Sequence, residues 1–143
     1  MDNNYNSLKL ENQLCFPLYV CSKEIIRRYT PFLEPLGLTY TQYIAMIVLW
    51  EEGEINVKEM GRKLFLDSGT LTPLLKKLET KGYIKREPSK NDGRSLIISI
   101  TDEGEALKEQ AVNIPEMVCG CINLPPEKSA ALNEILNELL GCI

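Results

Sequence analysis

Between Thr80 and Thr101 the chain changes period, and that change limits the folds open to it. Upstream, Leu71, Leu74, Leu75 and Leu78 recur at the three- and four-residue spacing of a helix, opened by a cap at Asp67 or Ser68 and stopped by Gly82. Downstream, Tyr83-Ile84-Lys85-Arg86 reads as a short strand, Ser89 to Arg94 as a polar turn, and Leu96 to Ile100 as a second, β-branched strand. A shorter helix fits Val57 to Leu64. Two short helices joined by a tight turn and followed by a two-stranded wing make a winged helix-turn-helix, whose second helix can enter a major groove.

The flanking segments are helical. Leu14, Leu18, Cys21 and Ile25 form one apolar stripe, which predicts a helix from about Glu11 to Tyr29, with Pro17 kinking it or marking its first turn. Pro31, Pro35 and Gly37 break that pattern. Thr39 caps a second helix carrying Tyr43, Ile44, Ile47, Val48 and Trp50, which Glu51-Glu52-Gly53 ends. Thr101-Asp102-Glu103 caps a long helix towards Val118, and Pro125-Pro126 precedes a last helix with Leu132, Ile135, Leu136, Leu139 and Leu140. The expected fold is mainly α with a small β-hairpin, a winged helix-turn-helix dimerised through its N- and C-terminal helices. The 143 residues make one domain. Within it, segments of about 8–52 and 101–143 are assigned to dimerisation and sensing, and about 53–100 to a DNA-binding lobe. The stripes of the terminal helices exceed what so small a core can bury, which motivates the dimer.

Composition narrows the chemistry. Histidine is absent, which removes Ser-His and Cys-His dyads and every His-ligated metal site. The net charge of −4 gives no general affinity for polyanions. From Lys58 to Arg94, however, ten basic residues face five acidic ones, a local +5 that leaves −9 for the rest. Such segregation lets an acidic protein present a basic face to phosphates, the alternative being a merely solvated helix. The first ten residues, MDNNYNSLKL, have no signal-peptide pattern, and the longest purely apolar run, Ile44 to Trp50, is far below the roughly 20 residues a bilayer requires. A cytoplasmic protein with no membrane contact is expected.

The candidate DNA contacts follow from placement. Ser68, Thr70 and Thr72 precede Pro73 at the groove-facing start of the second helix, and Lys76 and Lys77 can reach phosphates. In the wing tip lie Lys90, Asp92 and Arg94. Asp92 is close enough in sequence to hold the Arg94 guanidinium, which could then enter a narrow minor groove, although an Asp-x-Arg tip can also be a plain surface turn.

At this point LDSGTLTPLLKKLETKGYIKREPSKNDGRSLIISITDEG resembles the DNA-binding core of the MarR family of dimeric repressors. The segment LENQLCFPLYVCSKEIIRRYTPFLEPLGLTYTQYIAMIVLWE is similar to its organic-hydroperoxide-sensing, OhrR-like branch. The resemblance implies that Cys15 is the reactive cysteine and that Tyr29 and Tyr40 donate hydrogen bonds to its thiolate. Tyr19, one helical turn beyond Cys15, can also line that site. The physics agrees, because a thiol attacks a peroxide only as thiolate, and tyrosine hydroxyls can stabilise that anion. Leu14, Phe16 and Ile26 offer an apolar setting suited to an alkyl hydroperoxide. By composition alone, a lone cysteine on an apolar helix is an inert packed residue.

Cys21 falls on the apolar stripe and reads as packing. Cys119 and Cys121 are read as lying between the last two helices. As a thiolate pair they fall short of four metal ligands unless Cys142 or a second chain helps, so neither metal nor cofactor is expected. In two-cysteine members of the resembled branch, a cysteine near this part of the chain closes a disulfide with the partner's sensing cysteine, a role that Cys119 or Cys121 could take. The resemblance implies a homodimeric repressor that holds a pseudo-palindromic duplex operator while Cys15 is reduced and releases it when an organic hydroperoxide oxidises that thiol. The alternative is a repressor released by a small aromatic ligand, with Cys15 incidental. No enzyme is expected: a thiol peroxidase would need a recycling reductant, which no feature here requires. Operator, regulated gene, preferred peroxide, resolving thiol and the roles of Cys21 and Cys142 are not legible.

Overall fold

The computed structural model describes residues 4–143; residues 1–3 of the decapeptide expected to have no signal-peptide pattern lie outside them. Helices dominate, with one small sheet. Two 3-10 turns, Asn6–Leu8 and Leu10–Asn12, are tied by Asn12 Nδ2 donating to Asn6 O at 2.7 Å and Gln13 Nε2 to Ser7 O at 2.6 Å. These turns occupy the start expected of the first helix, so α1 opens later, at Cys15, and spans Cys15–Leu33. Pro17 therefore falls in its first turn, where the missing N–H has no intrahelical partner to lose. Pro31 does not end α1 as expected: it sits in the last turn, and the Glu34 N–H still closes that turn on Thr30 O.

A 3-10 turn, Glu34–Leu36, leads to Gly37 in the left-handed region at φ +68°. Thr39 and Gln42 form a reciprocal capping box, Gln42 N–H donating to Thr39 Oγ1 at 3.3 Å and Thr39 N–H to Gln42 Oε1 at 3.0 Å. It opens α2, Tyr40–Glu52. Directly after Gly53 comes β1, Glu54–Asn56, which the sequence does not announce because three residues are too few to show alternation. Asn56 then caps α3, Val57–Leu64, by accepting from Lys58 N–H at 2.8 Å.

Asp67 opens α4, Ser68–Thr80, by accepting from Thr70 N–H at 2.8 Å. Between α3 and α4 the backbone turns so tightly that a Cβ on Gly61 would come within 2.8 Å of Leu66 O, so glycine is required there. The wing is β2, Ile84–Pro88, and β3, Leu96–Ile100, paired antiparallel with Ile84 opposite Ile100 and Arg86 opposite Ile98. β1 adds to the other side of β3, Ile55 opposite Ile98, so the expected hairpin is two strands of a three-stranded sheet ordered β1-β3-β2.

The long helix expected towards Val118 is two helices. Thr101 caps α5, Asp102–Ala111, and α6 is Ile114–Ile122. The physical reason is Pro115, which lacks the N–H that would continue α5 and whose ring would meet the carbonyl of residue 111. The last helix, α7, spans Pro126–Cys142. The chain divides into two compact units, one up to Val112 and one from Asn113.

Met46 and Leu49 of α2, Met60 of α3, Leu71, Leu75 and Leu78 of α4, Ile84 of β2 and Ile98 of β3 form the core of the first unit. At about 1.5–3 kcal/mol for each fully buried aliphatic side chain, these few residues fix α4 against the sheet. In the second unit α7 has no buried residue, and its Leu132, Ile135, Leu139 and Leu140 are all exposed. Among the described residues, no single helix is long and apolar enough to cross a membrane.

Candidate functional site

The DNA-reading face follows from burial. α4 turns its leucines into the core, which leaves Ser68, Thr70, Thr72, Lys76 and Lys77 exposed on the opposite face. Several of the ten basic residues are already committed. Arg62 pairs with Glu59 at 2.8 Å, Lys63 with Glu52 at 2.7 Å, Arg86 with Glu79 at 2.9 Å, and Lys81 Nζ donates to Gly37 O. Lys58, Lys76, Lys77, Lys85, Lys90 and Arg94 carry no ion pair among the described residues, and these are the cations free to meet phosphate. The Arg86–Glu79 bond joins the wing to α4 and holds the Glu79 carboxyl below the usual carboxylate range.

The wing tip departs from expectation in one respect. Asp92 holds the backbone of Arg94 rather than its guanidinium: Asp92 Oδ1 accepts from Arg94 N–H at 3.1 Å, and Oδ2 from Ser95 Oγ at 3.3 Å. The tip is thus an Asx-type turn, in which a short carboxylate reaches the main chain two residues on more readily than a guanidinium at the end of a long side chain. Lys90 and Arg94 project from it, exposed.

The thiol region lies on α1 and α2. Cys15 is the first residue of α1 and is exposed, as are Leu14, Phe16, Leu18, Tyr19 and Ile26; Leu14 retains 86% of its accessible surface. Tyr19 is one turn along the same face, with Lys23 Nζ 5.4 Å from its ring centre. Tyr29 and Tyr40 are brought together, ring centres 4.9 Å apart, and both touch Tyr43, at 5.7 and 6.3 Å. Burial raises the Tyr40 phenol above its ordinary value, so it holds its proton and is a hydrogen-bond donor at neutral pH. Tyr43 is nearly fully buried and its phenol is raised too, first by burial and then by the neighbouring Tyr29 and Tyr40.

Cys15 and the tyrosine pair are not brought together within one chain. Tyr29 follows Cys15 by 14 residues on one unbroken helix, which at 1.5 Å per residue separates them by about 21 Å. Tyr43 and Trp50, expected from the sequence only as residues of the second helix, extend the aromatic cluster at 6.3 Å; the spacing of Tyr40, Tyr43 and Trp50 along α2 is the signal for it. Cys21, read as packing, is exposed in the protomer. Cys119 and Cys121 lie within α6, not on a connection before the last helix, and both are exposed. Two positions apart on a helix, they point about 200° from each other, which is the wrong disposition for a chelating pair.

A helix-turn-helix with a basic, uncommitted face and an attached wing defines a DNA-binding transcription regulator. A family profile described as "Transcriptional regulator SarA/Rot" matches residues 27–111. The organic hydroperoxide resistance transcriptional regulator of Bacillus subtilis (strain 168) is 47% identical over 140 residues, 98% of this chain and 95% of that protein. SarZ, an HTH-type regulator of Staphylococcus saprophyticus, is 45% identical over 132 residues, 92% of this chain and 90% of its own length. Among solved structures, AbfR of Staphylococcus epidermidis is similar in three states. Overoxidised and bound to DNA it matches with TM-score 0.77 at 39% identity, covering 96% of this chain and 97% of AbfR. Reduced and bound to DNA it matches with TM-score 0.77 at 38% identity, covering 94% of each chain. In its disulfide form the TM-score is 0.66 over the same shares. The chain belongs to the MarR family, in the OhrR-like branch, a family of transcriptional regulators rather than enzymes.

Proposed function

We propose that this protein is a cytoplasmic, homodimeric repressor that binds a pseudo-palindromic duplex operator while Cys15 is reduced and lets go when an organic hydroperoxide oxidises it. The observation that carries the reading is the placement of Cys15: exposed at the start of α1, among bare apolar side chains, on the helix whose other end holds half of a paired phenol donor. Because one rigid helix keeps Cys15 about 21 Å from Tyr29, the donors to each thiolate come from the partner subunit. The N-terminal half of α1 and the exposed leucines of α7 are the surfaces that a second copy covers, so segments 8–52 and 101–143 dimerise and sense while 53–100 reads DNA.

The chemistry balances without a cofactor. The Cys15 thiolate sulfur bonds to one peroxide oxygen, the O–O bond breaks, and the alkoxide leaves and takes up a proton as alcohol; sulfur is oxidised by two electrons to sulfenic acid and the peroxide is reduced. A second thiol then displaces water to form a disulfide. That thiol is a small cellular thiol or, of Cys119 and Cys121, the one that turns towards the partner's Cys15. A non-reducing gel separates the two routes as mixed-disulfide monomer or covalent dimer. Of the AbfR structures, the two bound to DNA, one overoxidised and one reduced, are more similar to this chain than the disulfide form is, which supports reading this protomer as DNA-competent and the disulfide as the form that differs from it.

The test is operator binding by purified protein before and after a stoichiometric dose of an organic hydroperoxide, repeated after reduction. Binding lost on oxidation and regained on reduction, with Cys15→Ser binding throughout, supports the reading; a Cys15→Ser protein still released by peroxide refutes it. Release by an added aromatic acid and not by peroxide would favour the ligand-released alternative. Affinity should fall with salt at a log–log slope of about −0.9 for each phosphate neutralised. The candidate contacts are Ser68, Thr70, Thr72, Lys76, Lys77, Lys90 and Arg94, with Asp92 shaping the tip.

A further inference from the structure

Two hydrogen bonds tie the DNA-reading elements to the turn that carries the phenol pair. Tyr29 lies one helical turn before Leu33, the end of α1, and Tyr40 is the third residue after Gly37. On the turn between them, the carbonyls of Leu36 and Gly37 each accept a distant side chain: Tyr83 Oη donates to Leu36 O at 3.3 Å, and Lys81 Nζ donates to Gly37 O. Lys81 is the C-cap of α4, and Tyr83 immediately precedes β2. Consecutive carbonyls are therefore gripped by the residue that ends the recognition helix and the residue that leads into the wing. Leu36 and Leu38 are buried, so the turn has little freedom to slip past these donors.

A second chain of contacts converges on Tyr83. Tyr29 and Tyr40 touch Tyr43, and Tyr43 meets Trp50 edge-on at 6.3 Å. Trp50 Nε1 donates to Gly104 O at 2.9 Å. Gly104 is pressed on the Tyr83 backbone so closely that a Cβ there would lie 2.2 Å from Tyr83 O, and that oxygen also accepts Thr101 N–H at 3.1 Å. Packing alone would be served by phenylalanine at position 83; the hydroxyl is what reaches the turn.

We propose that Tyr83, with Lys81, is a positioning residue that couples the oxidation state of Cys15 to the setting of α4 and the wing. This rests on the sensor reading above. Oxidation replaces an anionic acceptor by a neutral one at the phenol pair, weakening a charge-assisted hydrogen bond. The segment from Leu36 to Tyr40 shifts in response, and the Tyr83 and Lys81 bonds carry that displacement to both elements that read DNA.

The experiment uses full-length Tyr83→Phe and Lys81→Met proteins, a labelled operator duplex and cumene hydroperoxide with a small thiol. It measures operator Kd before and after oxidation, the rate of Cys15 oxidation by mass spectrometry, and the thermal melt of each reduced protein. Tyr83→Phe should bind operator when reduced within about twofold of wild type, and its ratio of oxidised to reduced Kd should fall about fivefold, the worth of one neutral hydrogen bond. Its Cys15 should oxidise at the wild-type rate. Lys81→Met removes a cation that is committed to the Gly37 carbonyl and should show the same fall in ratio. Unchanged ratios in both variants overturn the coupling, as does a Tyr83→Phe protein that loses reduced binding or oxidises slowly at Cys15, since it then acts on the fold or at the thiol. If wild type keeps its operator after Cys15 is oxidised, the sensor reading itself falls; if wild type and both variants release alike, only the coupling does.

Discussion

The DNA-reading lobe and the first half of α1 are built in opposite ways. In the lobe every helix start is capped by its own chain, Asn56 for α3 and Asp67 for α4, and the apolar faces of α3, α4 and the sheet close on one another. Along α1 from Cys15 to Ile26, Phe16, Leu18, Tyr19, Ile26 and the Cys15 thiol are exposed, and the far end of the same helix carries Tyr29, paired with Tyr40 of α2. A region complete within one chain works as a rigid tool. A region completed by a second copy can change when the contact between copies changes, and that is where a switch belongs.

The contrast can be broken most forcefully in the core. Leu78→Ala, at a fully buried position of α4, should cost about 2–5 kcal/mol in urea unfolding. Leu18→Ala should instead raise the protein concentration needed to hold the dimer together, seen as a Tm that depends more steeply on protein concentration. Equal, concentration-independent losses for both would erase the distinction. On the reading face, Arg94→Ala should weaken operator binding by about 1–3 kcal/mol while leaving peroxide release intact. Unchanged affinity would show the wing tip to be idle.

The smallest effects separate the regions by pH. The Thr70 N–H holds the Asp67 carboxyl below the usual range, so its share of stability is present above the ordinary carboxylate value and is lost as pH falls through the lowered one. Asp67→Asn should flatten that acid limb. Burial raises Tyr40, so its share is complete below the ordinary phenol value and is lost as pH rises through the raised one. Tyr40→Phe should flatten the alkaline limb and also slow Cys15 oxidation; stability profiles against pH, with the oxidation rate alongside, check both.

The lobe was the legible part. Leucine spacing located α4, and β-branched residues located β3, because both signals are local and period-bound. β1 escaped because three residues carry no period, and its partner, β3, is more than 40 residues away. The break at Pro115 is legible in the sequence, because proline cannot continue a helix. For the proposed site, Cys15, Tyr29 and Tyr40 are named by the sequence, but their relative placement is not. Only the continuity of α1 to Leu33 shows that Cys15 and Tyr29 cannot meet in one chain. The grip of Lys81 and Tyr83 on the Gly37 and Leu36 carbonyls is a tertiary hydrogen-bond pattern, which no local spacing encodes.

The claim that the thiol site is shared between protomers is tested most directly by a mixed dimer. One protomer carries Cys15→Ser with its tyrosines intact, and the other keeps Cys15 but carries Tyr29→Phe and Tyr40→Phe. The rate at which the remaining Cys15 is oxidised by organic hydroperoxide is followed by mass spectrometry. The account predicts the wild-type rate, because that thiol faces the intact tyrosines of its partner. A rate as slow as that of the dimer lacking all four tyrosine hydroxyls would contradict it and place thiol and donors in the same chain.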